Sequence, residues 1–272
     1  MKIGTTIRNM GKAATRDTVL SCAQMAEEAS LEHIWVVDHM AIPPKESEGS
    51  DGIWLDPLAV LSFFAAATTK IKIGVSVLVL PYRPALPTAK WIASIQELSN
   101  ERLLLGVGPG WMEAEYTILG VEKKRRGKIT DEVLDFLREC FKPESDVVNL
   151  NNQEFYFRPK PKCPPIYVGG MTEAALRRVI ARGEGWIPVG LDPDKIEPLA
   201  TKLKELSDAA HKPVPKIMLL GALPEEESKA VDDLAKCREF GATDYIQASR
   251  YSDIEEFEKI ISKLKSLQRQ VG

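Results

Sequence analysis

Apolar and polar positions along the chain switch repeatedly between two periods. Lys2–Ile7 alternates and is rich in β-branched residues, as a strand requires, and Arg16–Ser30 then places Val19, Leu20, Ala23 and Ala26 at helical spacing. His33–Val37 reads as a short buried strand. Asp56-Pro57 opens an Ala-rich helix that runs to Ala67, with Asp at the N-cap and Pro at the first helical position, where its missing N–H costs nothing. Ile71–Leu80 and Ala85–Leu98 form a third strand–helix pair. Arg102–Val107 and Gly127–Phe141, the latter amphipathic through Ile129, Val133, Leu134 and Leu137, form a fourth.

The second half repeats the pattern: Pro165–Val168 with Thr172–Arg182, Gly185–Pro188 with Asp194–Ala210, Lys216–Leu220 with Glu225–Phe240, and Asp244–Ala248 with Asp253–Gln268. Near-continuous apolar strands alternating with helices imply a parallel sheet buried on both faces. Eight such units in this length predict an α/β fold of the closed (β/α)8 type, a TIM barrel forming one domain over residues 1–272, with an open doubly wound sheet as the alternative. Three stretches fall outside the repeat. Met40–Leu55 reads as a loop leaving the C-terminal end of the second strand, and Glu113–Arg126 as a further loop that would shape the pocket. Asp146–Cys163 reads as a short hairpin, Val147-Val148 against Phe155-Tyr156-Phe157, that begins on the opposite face.

Composition narrows the classes. Hydrophobic residues make up 44% and charged residues 28%, which excludes a disordered chain. The apolar run Ile73–Leu80 falls far short of the ~20 residues needed to span a bilayer, so no membrane partner is expected. Met1-Lys2-Ile3-Gly4 enters a strand directly, with no leader expected, and the expected location is cytoplasmic. Net charge is −3 and the tightest basic cluster is Lys124-Arg125-Arg126, read as a solvated helix start, so nucleic acid is not expected as a partner. The four cysteines (Cys22, Cys140, Cys163, Cys237) are scattered and read as packing residues. With three histidines and no H-x-H or H-E-x-x-H pair, no metal site is expected.

In a barrel, residues just past each strand converge on one face. Here these are Thr6 and Arg8, Asp38-His39, Ser76–Leu80, Gly106–Trp111, Gly169–Thr172, Pro188–Leu191, Gly221 and Gln247–Arg250. Gly169-Gly170-Met171-Thr172 leads straight into a helix N-terminus, where free N–H groups and the helix dipole favour a phosphate; the alternative is a tight turn with Thr172 as N-cap. Gly106-Val-Gly108-Pro-Gly110-Trp111 fails the dinucleotide fingerprint at its sixth position and reads instead as a bare backbone surface for a flat ring. Asp38-His39 is the acid–base candidate, since imidazole exchanges protons near neutrality and an adjacent carboxylate tunes it. Glu113 and Glu115 allow a distant glycosidase-type alternative.

Several segments together resemble the bacterial luciferase-like (β/α)8 oxidoreductases. They are Ile34-Trp35-Val36-Val37-Asp38-His39, the stretch from Thr69 through Leu80-Pro81-Tyr82-Arg83, Leu98-Ser99-Asn100-Glu101-Arg102 with Gly106-Val107-Gly108-x-Gly110-Trp111, Pro164–Gly170, and Gly183-x-Gly185-Trp186-x-Pro188. The resemblance runs in register over about residues 1–190, and the combination is most similar to the coenzyme F420 (5-deazaflavin) branch. It implies a cofactor, F420 or alternatively FMN, on the C-terminal face, and a cis peptide between Ser76 and Val77 that backs the central ring. It places the phosphate on Gly169, Gly170, Met171 and Thr172, the ring against Ser76, Val77, Gly108 and Gly110, Asp38 against the cofactor's polar groups, and His39 as acid–base or substrate-orienting group. The implied activity is hydride transfer between F420 and a small organic substrate, in a homo-oligomer, a dimer by the resemblance. The alternatives are an FMN-dependent monooxygenase of the same fold and a non-catalytic cofactor-binding barrel.

Overall fold

In the computed structural model, which describes residues 1–47 and 49–271, eight parallel strands close on themselves. The loop expected over Met40–Leu55 spans Glu48, and the expected domain ends at Gly272; both residues lie outside the described ones. The first half runs β1 (Lys2–Thr6), α1 (Arg16–Glu28), β2 (His33–Val36), α2 (Pro57–Ala67), β3 (Lys72–Val79), α3 (Ala85–Leu98) and β4 (Leu103–Gly108). Then follow a short α4 (Glu113–Ile118), α5 (Arg126–Cys140) and the antiparallel hairpin β5 (Val147–Leu150) and β6 (Gln153–Tyr156). The rest is β7 (Ile166–Gly169), α6 (Glu173–Arg182), β8 (Gly185–Ile187), α7 (Pro193–Ala209), β9 (Lys216–Gly221), α8 (Glu227–Glu239), β10 (Ala242–Gln247) and α9 (Ile254–Val271). Barrel order is β1-β2-β3-β4-β7-β8-β9-β10, closed where Lys2 pairs with Asp244.

Two apolar layers hold this arrangement. The barrel interior is filled by Trp35, Leu104, Tyr167, Ile187, Met218 and Ile246, with Val77 and Leu220 above them. Room for the indole comes from Gly74 on the next strand, where an added Cβ would lie 2.5 Å from Trp35 Cε3. The outer layer joins strands to helices through residues such as Ile34, Val75, Leu105, Leu61 and Leu176, all fully buried or nearly so. The cysteines pack as expected: burial raises their thiols, to about 11 for Cys22 and Cys163 and about 12 for Cys140 and Cys237.

Local chemistry sets the ends of the elements. Asp56 caps α2, accepting from the amides of Leu58 at 2.8 Å and Ala59 at 3.3 Å, with Pro57 at the first turn. Thr172 caps α6, accepting from Ala175 N. The cis peptide implied at Ser76–Val77 is present, and the β3–β4 register shifts between Val75 and Leu78. One expectation is corrected: Glu113–Ile118, inside a stretch read as loop, is helical because Glu115 and Tyr116 are buried on its inner side. Among the described residues no helix is long and apolar enough to cross a membrane.

Candidate active site

The rim formed by the C-terminal strand ends carries two adjoining cavities. The first, about 590 Å³, is lined by Ser76 and Val77 from β3, Gly108–Trp111 after β4, Gly169, Gly170 and Thr172 after β7, and Lys124, Arg126 and Arg178. The second, about 800 Å³, lies over β1, β9 and β10. Val189 and Leu220 belong to both and form their common wall.

Val77 is the floor of the first cavity. Glycine at 108 and 169 makes space for it, because a Cβ at either position would stand 2.7 Å from a Val77 methyl. The Ser76 hydroxyl is buried and has no hydrogen-bond partner among the described residues. Such an orphan is costly unless a ligand satisfies it. Gly170 adopts φ +127°, open to glycine and strained for other residues. A Cβ there would also stand 3.1 Å from Ala175 Cβ, so glycine serves both the backbone path and the packing of the turn on α6. The turn it creates leaves the amides of Met171, Thr172, Glu173 and Ala174 without an acceptor among the described residues. Met171 contributes through its backbone only, since its side chain packs against the outer core. Lys124 and Arg126 line the cavity with no acidic partner among the described residues, whereas Arg178 is bound to Asp131 at 2.6 Å.

The run Lys124-Arg125-Arg126 is thus more than a solvated helix start. Two of its cations line the cavity that holds the glycine turn. The nest, the cations without an acidic partner, the orphaned Ser76 hydroxyl and the Val77 floor fit a planar cofactor that carries a phosphate.

Asp38 and His39 part company. Asp38 is buried, accepts from Val79 N at 2.8 Å, and makes a two-pronged pair with Arg83 at 2.7 and 2.9 Å. Arg83 also reaches Asp56 at 2.8 Å. The Asp38 carboxylate therefore locks the ends of β2 and β3 together, lines neither cavity, and is not the group that tunes His39. That group is Glu115, which accepts from His39 Nδ1 at 2.9 Å, Tyr82 Oη at 2.8 Å, Met40 N at 2.5 Å and Ala41 N at 3.0 Å. Burial pushes the Glu115 carboxyl up, and these four donors more than reverse it, leaving it below the usual glutamate range. An ionised, acceptor-only Glu115 assigns a proton to His39 Nδ1, so that in the neutral ring the lone pair lies on Nε2.

The imidazole stands between Trp54 and Trp111, ring centres 4.9 and 5.9 Å away, and Trp111 forms the lip of the first cavity. Glu113, by contrast, is exposed and paired with Lys123. The two carboxylates needed for a glycosidase do not meet. Sequence reasoning gives Arg83 no role at the site and Glu115 only the glycosidase-type one, whereas the structure makes them the partners of Asp38 and His39. Arg83 carried a signal, an arginine two residues past Leu80-Pro81 at a strand end.

A closed parallel barrel whose C-terminal rim carries a cavity with a turn of free amides, and a histidine packed on that cavity's Trp111, fits a cofactor-dependent enzyme. The chain belongs to the luciferase-like monooxygenase family, whose model matches residues 1–269. An uncharacterised protein of Mycobacterium tuberculosis is 30% identical over 267 residues, covering 90% of each chain. The F420-dependent glucose-6-phosphate dehydrogenase of Amycolatopsis mediterranei is 30% identical over 208 residues, 71% of this chain and 60% of that one. The fold is shared with the FMN-bound oxygenating component of 3,6-diketocamphane monooxygenase from Pseudomonas putida, at a TM-score of 0.79 and 12% identity, over 100% of this chain and 98% of that one.

Proposed function

We propose that this protein is a coenzyme F420-dependent oxidoreductase that moves hydride between the deazaflavin and a small organic substrate. The observation that carries the reading is the surplus of positive charge beside the nest. The glycine turn and the α6 N-terminus suffice for one phosphate, yet Lys124 and Arg126 stand there unpaired among the described residues. A cofactor whose acidic side chain continues beyond its phosphate matches that charge better than one ending in a phosphate monoester. Met171 and Thr172, with Gly169 and Gly170 shaping the turn, would hold the phosphate, while Ser76, Val77, Gly108 and Gly110 would back the ring.

When bound, the deazaflavin supplies a two-electron hydride carrier that does not readily activate oxygen. The protein's part is orientation and proton management. His39 Nε2 takes the proton released when a substrate is oxidised, or returns it on reduction. Glu115 holds the imidazole in that tautomer. Asp38 acts as a positioning residue through Arg83 and the Val79 amide. An oriented imidazole lone pair has no structural use, which favours an enzyme over a non-catalytic cofactor-binding barrel. On this reading the working unit is a homodimer, as the family resemblance implies, working in the cytoplasm.

The test is a fluorescence-quenching titration of the purified protein with each cofactor. F420 is expected to bind more tightly than FMN, and Lys124→Gln is expected to narrow the gap. A clear preference for FMN would replace this reading with the FMN-dependent monooxygenase.

A further inference from the structure

We propose that the second cavity seats the substrate and selects molecules bearing a carboxylate or phosphate, gripped by Arg8 and Arg250. The substrate role rests on the proposed function, since it takes the first cavity to be the cofactor's. Polar groups around the second cavity are mostly spent on one another. Thr6 Oγ1 accepts from Ser249 N at 2.9 Å, and the Ser249 hydroxyl bonds Thr5 Oγ1 at 2.6 Å. The Asn9 amide nitrogen donates to Val37 O and Leu55 O, and its oxygen accepts from Val37 N. The unspent donors are guanidinium groups.

Arg8 is held from two sides. Its main-chain N–H donates to Tyr251 Oη at 2.8 Å and its Nη2 donates to Gly49 O at 2.8 Å. Its Nε–H is buried with no acceptor among the described residues. Arg250 is exposed on the same lining and makes no ion pair among the described residues. The described lining holds no Asp or Glu. Two positive charges without a counter-charge among the described residues, one of them preorganised and carrying an unmet donor, form a seat for a planar or tetrahedral anion. The rest of the lining, including Ile7, Met10, Val37 and the common wall of Val189 and Leu220, is apolar. A substrate anchored by its acidic end therefore lays its uncharged part toward the cofactor cavity, where a C–H or carbonyl can be presented.

The test uses the full chain, titrated by calorimetry with inorganic phosphate and separately with glycolate, each with and without saturating F420. The Arg8 Nε–H resonance is followed in parallel by NMR. An anion is expected to bind with or without the cofactor, to shift that resonance, and to bind about tenfold more weakly in Arg250→Gln and in Arg8→Lys. Cofactor affinity is expected to stay unchanged in both variants. Because Arg8 also holds the Gly49 loop, Arg250→Gln, which breaks no side-chain hydrogen bond or ion pair among the described residues, decides if Arg8→Lys unfolds. The stronger of the two anions identifies the headgroup. Absence of binding, or affinity unchanged in Arg250→Gln, overturns the proposal and leaves the cofactor reading intact. Anion binding that depends on Arg250 in a protein that takes up neither F420 nor FMN would instead remove the cofactor reading and with it the substrate role.

Discussion

Arg102 and Arg8 carry the same guanidinium to opposite rims of the barrel. On the N-terminal rim Arg102 donates to Ser99 O, Ile71 O, Thr68 O, Ala65 O and Thr68 Oγ1, all within 3.0 Å. Beside it Glu27 accepts from the amides of Thr69, Lys70 and Ile71. Even His33 Nε2, which lacks a well-aligned bond there, lies 3.3 Å from Asp244. On the C-terminal rim Arg8 Nε, Ser76 Oγ and Trp54 Nε1 are buried without partners among the described residues. One rim uses its polar groups to close αβ loops, and the other keeps them in reserve for molecules that come and go. Stability and chemistry are thereby separated along the barrel axis.

Mutations at each rim should break or sharpen that separation. The largest effect is expected at the upper rim: His39→Ala should lower turnover with an identified substrate by ~10²–10⁴-fold, with cofactor affinity within a few-fold of the parent. Stopped-flow oxidation of the reduced cofactor measures this, and turnover at the parent rate would remove the acid–base role. At the lower rim, Arg102→Ala should cost about 2–4 kcal/mol in urea unfolding, because five acceptors lose their donor, while the folded fraction binds cofactor normally. A loss below about 0.5 kcal/mol, the usual range of a surface substitution, would deny that this rim carries stability.

Thr172→Ala sits between the two roles. It should weaken cofactor binding by ~1.5–3 kcal/mol through a lost bond to an anion, and should also cost about 1 kcal/mol of stability through the lost cap on α6. Thr172→Ser should restore both; a cofactor affinity in Thr172→Ala unchanged within error would make the turn purely structural. The smallest effect concerns pH. Burial raises the Glu27 carboxyl, but the amides of Ile71, Lys70 and Thr69 and the nearby Arg102 outweigh it, so its folded value lies below the ordinary one. Its contribution is then complete above about pH 4.3, the ordinary glutamate value, and is lost as pH falls through the folded value. Glu27→Gln should flatten the acid limb of the stability curve, measured by thermal melts from pH 6 downward, and leave cofactor binding at neutral pH unaltered.

Much of this architecture is legible in the sequence. The eight strand–helix units, the Asp56-Pro57 start of α2 and the hairpin at Val147–Tyr156 follow from periodicity and capping, which are local. The glycine turn at 169–172 is legible because a strand–glycine–helix turn is also local. The partners of Asp38 and His39 are not. Asp38 and His39 are neighbours in sequence, but their side chains answer to Arg83 and to Glu115, 45 and 76 residues away, and no spacing rule spans such gaps. The helix carrying Glu115 was missed because Glu113–Ile118 is less than two turns long and depends on tertiary burial for its stability. Lys124 and Arg126 were visible as a basic run, but which way they face is set by where α5 begins.

The wall of Val189 and Leu220 has a consequence for how such a protein diversifies. The first cavity is built chiefly from β3, β4 and β7, and the arginine-lined one from β1, β9 and β10, so the two draw on different arcs of one ring. If they seat cofactor and substrate as proposed, descendants can exchange the residues after β1 and β10 and so explore new reactants while the redox partner stays in place. Only changes at the partition itself would alter both at once. Variation among relatives should therefore concentrate on one arc, and the partition should drift most slowly of all.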